Sequence, residues 1–453
     1  MNRPIQKYNF FYAFFRPLAI FGTHCHYRRL IIKGHENLPT DGPFIFAPCH
    51  QNALMEPLLL LSIRSIHRVV FLARADIFQN PTIHKILSSL KILPVYRIRD
   101  GKDNLGKNVA IFEQSSNVLM DGTPLCLMAE GKHNNQHHLL PLVKGMFRIA
   151  GETQKRLGNT PLYILPTGID FDEYERPYSN AVVNVGKPIP IQPFMEEFNK
   201  NEAVALNQMR DALQGNLLPL MHDIRHTEYY DELYTLCNAC NRTFRKENGM
   251  RNTAWNRFKA RQHISNRLDA MITNDDEKAG AIIHLGKEYL NICNELKMNP
   301  KIPSERWNLF ELLLSTVIFA GIIVSAIWIR PIAIFLLFWL LCYPISWLPT
   351  HLIIHYAVKD SQFRSSFNCA IRFVLSMIYV ITFTIIIGVH HGLIWAIISF
   401  IMAFVIAFCN RYIVCWIRSL FRNWKYRFIQ LFHHEKTEVL DAIVKEVSQS
   451  MKG

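Results

Sequence analysis

A histidine and a carboxylate stand six residues apart in Cys49-His50-Gln51-Asn52-Ala53-Leu54-Met55-Glu56-Pro57, directly after the apolar run Phe44-Ile45-Phe46-Ala47. An imidazole titrating near neutrality can take a proton from a hydroxyl. A carboxylate on its other ring nitrogen fixes the tautomer and stabilises the imidazolium. The pair reads as a general base, His50, with Glu56 as its orienting partner, presented where a strand ends at the rim of a sheet. Three later segments suit the same chemistry. Ile92-Leu93-Pro94-Val95-Tyr96-Arg97 ends on a guanidinium, with Arg99 close behind, and guanidinium binds phosphate bidentately. Met128-Ala129-Glu130-Gly131-Lys132-His133 sets a carboxylate and a glycine just past an apolar run. A glycine there admits close approach of a ligand, and the amides beside it suit a developing oxyanion. Glu130 would orient an acceptor or pair with Arg97. Ile164-Leu165-Pro166-Thr167-Gly168-Ile169 closes the set. Taken singly, each segment is also explained as a polar cap, a strand-end turn or a solvated basic loop. Lys132 and Lys144 are equally well read as surface lysines.

The elements that must position these residues follow an α/β pattern from about residue 30 to 194. Short β-branched or apolar runs alternate with helical spacing at 81–90 and 105–120, and Gly and Pro mark the joins. Strands alternating with helices predict a mixed sheet flanked by helices. Residues 195–303 are polar, charged and helical in period, and predict a helical subdomain with no legible chemistry. Residues 1–29 carry the apolar, aromatic stretch 9–22, interrupted by Arg16 and Pro17 and followed by a basic run. That stretch is too short to span about 30 Å of hydrocarbon and predicts an interfacial membrane-associated helix.

From residue 304 to 423 four apolar runs stand out, at about 309–329, 331–349, 371–389 and 393–410. They predict a transmembrane region of about four helices, arranged as two hairpins, with a helical tail over 424–453. The long connection carries Lys359 and Arg364, and the tail Arg411, Arg418, Arg422, Lys425 and Arg427. The excess of Lys and Arg places these, and the N-terminal domain with them, on the cytoplasmic face of an integral, multi-pass protein.

Half of the 453 residues are hydrophobic, and the formal charge is +14. The basic residues flank apolar spans, and no nucleic-acid motif is present, so the partner implied is a lipid bilayer rather than nucleic acid. The ten cysteines are scattered and suggest no disulfide framework. Cys237-Asn-Ala-Cys240 has metal-like spacing but lacks a second pair, and His133, His137 and His138 lie in a polar loop. No metal is expected at either place.

The four segments in their order and spacing resemble the glycerolipid (lysophospholipid) acyltransferase superfamily over about residues 30–192. The first motif of that family is a histidine, four residues and an aspartate. A branch acting on glycerol 3-phosphate or dihydroxyacetone phosphate has five intervening residues, as here. Glu56 stands in the aspartate's place, and Ala129 in that of the proline before the Glu-Gly pair. The run Leu139 to Gly145 and the run Val182 to Pro188 resemble further parts of the same branch. The resemblance implies catalysis by His50 with Glu56, and substrate binding by Arg97, Glu130, Gly131 and His133.

The expected activity is O-acyl transfer from acyl-CoA or acyl-ACP (acyl carrier protein) to a hydroxyl of glycerol 3-phosphate or dihydroxyacetone phosphate in phospholipid biosynthesis. No cofactor beyond the acyl donor is expected. Lysophosphatidic acid is the alternative acceptor. A catalytically inactive lipid-binding relative is the reading that Glu56 and Ala129 favour. A transporter is the reading the four spans favour, but they lack ionisable residues at mid-depth.

Overall fold

Phe44-Ile45-Phe46-Ala47-Pro48 is apolar throughout, as a strand buried on both faces must be, and it forms the centre of an eight-stranded sheet. The computed structural model of the chain describes residues 4–63, 67–96, 105–329 and 347–452. The strands are β1 (Arg29–Lys33), β2 (Phe44–Pro48), β3 (Val70–Arg74), β4 (Ile92–Val95), β5 (Leu125–Cys126), β6 (Tyr163–Phe171), β7 (Asn180–Val185) and β8 (Ile189–Pro190). Their order is β1-β7-β6-β2-β5-β3-β4, with β8 also on β6. Neighbours from β6 through β2, β5 and β3 to β4 run parallel, whereas β7 and β8 pair antiparallel with β6. The sheet is therefore mixed, as expected.

The chain divides into two units. The first comprises residues 1–23, 30–174 and 181–221. Its helices are α1 (Phe10–His26, whose last turn falls in the second unit), α2 (Met55–Leu60), α3 (Pro81–Ser89), α4 (Leu105–Met120), α5 (Gly145–Leu157), α6 (Met195–Lys200) and α7 (Glu202–Leu217). Local chemistry sets their starts. Asn80 accepts from the amides of Thr82 and Ile83 ahead of Pro81, and Asn201 accepts from that of Val204. On α5, Met146, Phe147, Ile149 and Ala150 form the buried stripe. Gly168 in β6 has a steric purpose: a Cβ there would lie 2.2 Å from the carbonyl oxygen of Leu220.

The second unit comprises residues 24–29, 175–180 and 222–453. The helices Tyr230–Ala239, Ala254–Asn274, Asp276–Glu295 and His434–Ser450 share one apolar core, containing Leu236, Ile264, Leu268, Tyr289, Leu440 and Val447. The C-terminal helix thus packs with the helical segment rather than standing apart. Cys237 and Cys240 are buried in this core, and burial pushes the Cys240 thiol up to about 12.

Of the four apolar runs, the third and fourth lie in the helices Ser361–His391 and Leu393–Phe432. Both are long and apolar enough to cross a membrane by length and composition. The first run forms the shorter apolar helix Leu309–Trp328, started by a capping box between Asn308 and Glu311. The second run lies almost wholly outside the described residues.

Candidate functional site

The C-terminal edges of parallel strands are where open α/β sheets hold ligands, and His50 stands two residues past the end of β2. Three interactions hold its position. Its N–H donates to Glu130 Oε1 at 2.7 Å, its carbonyl accepts from the Asn134 amide at 3.2 Å, and its Nδ1 lies 3.4 Å from Glu56 Oε2. The imidazole keeps about 15% of its surface exposed, whereas Glu56 is fully buried on α2. With Nδ1 facing Glu56, Nε2 is the nitrogen left to receive a proton from a substrate.

Glu56 is aimed by the turn between His50 and α2. The amides of Gln51 (2.8 Å) and Asn52 both donate to Glu56 Oε1, which leaves Oε2 for the histidine. Two amide donors on one oxygen prevent the side chain from swinging away. The turn requires a left-handed backbone at Ala53, with φ at +46°. A residue with a Cβ in that conformation is strained, and such strain collects at functional sites. This one turn brings the Glu56 carboxylate back to the His50 ring.

Glu130 follows β5, whose path continues along β2 through bonds from the Leu127 amide to the Phe46 carbonyl and from Ala129 to Pro48. Both carboxyl oxygens are engaged by the backbone: Oε1 by His50 N–H, and Oε2 by Leu140 N–H at 3.0 Å. Burial pushes its pKa up to about 8, against the opposing pull of those two amides. Gly131 has φ at +64°, and a Cβ there would meet Val143 at 2.9 Å. Its own amide donates to the Met128 carbonyl. His133 sets its ring 5.2 Å from that of His50 in an edge-to-face arrangement. Lys132 and Lys144 are exposed.

Cys49, beside the histidine, is a poor nucleophile. Its thiol is buried, donates to the Ile169 carbonyl, and is pushed well above the ordinary thiol range by burial and by the Glu130 carboxylate.

The structure therefore brings His50, Glu56, Glu130, Gly131 and His133 together. Arg97 and Arg99 lie outside the described residues. Gln51, Asn52 and Tyr174 escaped the sequence reading. The Tyr174 hydroxyl donates to Gln51 Oε1 at 3.0 Å, and the Asn52 side chain donates to the Tyr174 carbonyl at 3.1 Å. Amides act through the backbone and carry no residue-type signal, and Tyr174 is more than 120 positions distant.

No curated protein matches this chain at a significant level. Among solved structures, the chain is similar to the 1-acyl-sn-glycerophosphate (LPA) acyltransferase PlsC from Thermotoga maritima, at 18% identity. The likeness covers 44% of this chain and 78% of that one, with a TM-score of 0.31. Residues 29–170, which hold β1 to β5, nearly all of β6 and the residues His50, Glu56, Glu130, Gly131 and His133, match the family model described as Acyltransferase.

Proposed function

We propose that this protein is a membrane-bound O-acyltransferase that moves a fatty acyl chain from acyl-CoA or acyl-ACP to a hydroxyl of glycerol 3-phosphate or dihydroxyacetone phosphate. The observation that carries the reading is the His50–Glu56 contact at the carboxyl edge of β2, 3.4 Å between Nδ1 and Oε2. His50 Nε2 takes the proton of the acceptor hydroxyl as that oxygen attacks the thioester carbonyl. The tetrahedral intermediate then expels the thiolate, which recovers the proton from the imidazolium. Glu56 stabilises the charged ring throughout. The buried, protonated thiol of Cys49 supports direct transfer over an acyl-cysteine intermediate.

The five-residue spacing between His50 and Glu56 supports a small glycerol-phosphate acceptor, with Arg97 as the phosphate ligand and His133 beside it. The two long apolar helices support membrane attachment, and the excess of Lys and Arg in the long connection and the tail supports a cytoplasmic N-terminal domain. Burial of an acyl chain is worth about 0.8 kcal/mol per methylene, so a membrane-attached enzyme meets its product where the product partitions.

The test is an acceptor panel. Full-length protein in detergent or vesicles is given labelled acyl-CoA or acyl-ACP with glycerol 3-phosphate, dihydroxyacetone phosphate or lysophosphatidic acid. Acylated product is expected with one of the first two, and His50→Ala is expected to lose nearly all turnover. Product from lysophosphatidic acid alone would reassign the acceptor. No product from any acceptor, with folded protein, would reject the enzyme reading.

A further inference from the structure

A second histidine–carboxylate pair lies behind the first. Asp170, one residue before the end of β6, has its Oδ1 3.1 Å from Nδ1 of His137, and the two side chains are 3% and 1% exposed. A sheet does not need an ionisable pair in such a place, because withdrawing both groups from water is costly. Simple packing would be served as well by apolar residues of the same size. What the pair touches suggests its role. The His137 ring packs on Tyr174, with centroids 4.9 Å apart and planes inclined by 38°. Tyr174 in turn holds the turn that aims Glu56, through its hydroxyl to Gln51 and its carbonyl to Asn52. The amides of those two residues fix Glu56 Oε1.

The loop that carries His137 is also tied to the catalytic histidine. On one side of His137, the Asn134 amide donates to the His50 carbonyl. On the other, the Leu140 amide donates to Glu130, whose second oxygen holds the His50 N–H. The His50 peptide is thus gripped by both ends of a loop whose middle is anchored on Asp170.

We propose that Asp170 and His137 are positioning residues for acyl transfer. The pair seats Tyr174 and the 132–140 loop, and through Gln51 and Asn52 it holds the Glu56 carboxylate on the His50 ring. This rests on the acyltransferase reading of the His50 site. Neither residue touches the reacting atoms. Their effect falls on kcat through alignment, where displacing a catalytic group by about 1 Å is worth about 100-fold.

The experiment uses the full-length protein with the acyl donor and the acceptor turned over in the panel above. Variants are His137→Ala, Asp170→Asn and Tyr174→Phe, each alone and combined with Glu56→Gln. Tyr174→Phe keeps the ring and deletes only the bond to Gln51, so it keeps the test decisive if a buried-pair variant fails to fold. Expected are kcat losses of about 10- to 100-fold, as for residues that orient a first ligand, with KM within about twofold. In the Glu56→Gln background the further loss should shrink to about twofold or less, because the groups act through Glu56. Unchanged kcat in Tyr174→Phe, or losses that multiply fully with that of Glu56→Gln, would overturn the proposal.

A second readout does not need turnover. The pH dependence of His50 carbethoxylation, followed by peptide mass spectrometry, reports the titration of its ring. Among the described residues, the ionisable groups facing that ring and its peptide are Glu56, His133 and Glu130. Loosening Glu56 in Tyr174→Phe should change the pH profile of His50 modification, and an unchanged profile would sink the proposal. A wild-type protein inactive with every acceptor would remove the acyltransferase reading, and this titration would still decide whether the pair positions His50.

Discussion

The backbone N–H of His50 donates to Oε1 of Glu130 at 2.7 Å, across 80 residues of sequence. With Leu140 N–H on the other oxygen, Glu130 acts as a buried clip between the end of β2 and the loop after β5. In the described residues its carboxylate faces backbone donors rather than open solvent.

Replacing Glu130 with glutamine should therefore be costly despite the similar shape. Both oxygens accept from N–H groups, so the amide nitrogen of a glutamine must oppose one of them. A buried donor left unmet costs about 1–3 kcal/mol. Chemical or thermal unfolding of Glu130→Gln should show a loss in that range, together with reduced turnover because the His50 peptide is released. A variant as stable and active as wild type would show that the clip is dispensable.

The same residue predicts a pH dependence of stability. Its pKa rises from 4.5 to about 8 on folding, because burial disfavours the charged form. Between those values the folded chain holds a proton that the unfolded chain releases. The Glu130 contribution is then fully present below about pH 4.5, declines as pH rises, and is lost above about pH 8. The difference in unfolding midpoint between wild type and Glu130→Gln, measured from pH 5 to 9, should shift against wild type as pH rises. An equal slope in both proteins would contradict this assignment.

Glu56→Gln should separate catalysis from folding. The amide oxygen can keep the Gln51 and Asn52 donors, so stability should drop little. Its NH2 group then faces His50 Nδ1 and forces the tautomer that carries hydrogen on Nε2, the wrong form for a base. Tautomer inversion in a serine-protease triad costs about 10⁴-fold in kcat, and a loss of about 10²- to 10⁴-fold is expected here. Glu56→Ala should also destabilise, by about 1–3 kcal/mol for each amide left unmet. Normal kcat in Glu56→Gln would remove Glu56 from the mechanism.

Ala53 and Gly168 test the backbone geometry in opposite directions. The left-handed conformation of Ala53 is unfavourable by about 1–2 kcal/mol with a Cβ, and glycine removes that strain at some entropic cost. Ala53→Gly should thus leave the protein as stable as wild type or up to about 1 kcal/mol more so. Gly168→Ala places a methyl group 2.2 Å from the Leu220 carbonyl oxygen, a backbone atom that cannot rotate away. A loss of about 1–3 kcal/mol is expected, of the size seen when a packed site is overfilled. Unfolding midpoints of the two variants shifting in the reverse sense would refute the local geometry.

Much of the site was legible because its parts are local. His50 and Glu56 lie within one turn of chain, and the apolar run before them marks a strand whose end must present them. The alternation of strands and helices likewise states the fold class, since each apolar stripe needs a partner to cover it. The identity of the residues that hold this pair was not legible, because they are joined by pairing across the sheet. The parallel register of β2 with β5 and β6 brings Glu130 to the His50 amide and carries Asp170 and Tyr174 to the neighbouring turn. The helix His434–Ser450, read as a separate tail, shares a core with helices some 150 to 200 positions earlier for the same reason. The sequence by itself determined which groups could exchange a proton, because residue type and local spacing settle that. Only the tertiary structure decided which amides and side chains aim them, because a hydrogen bond depends on where the chain returns in space.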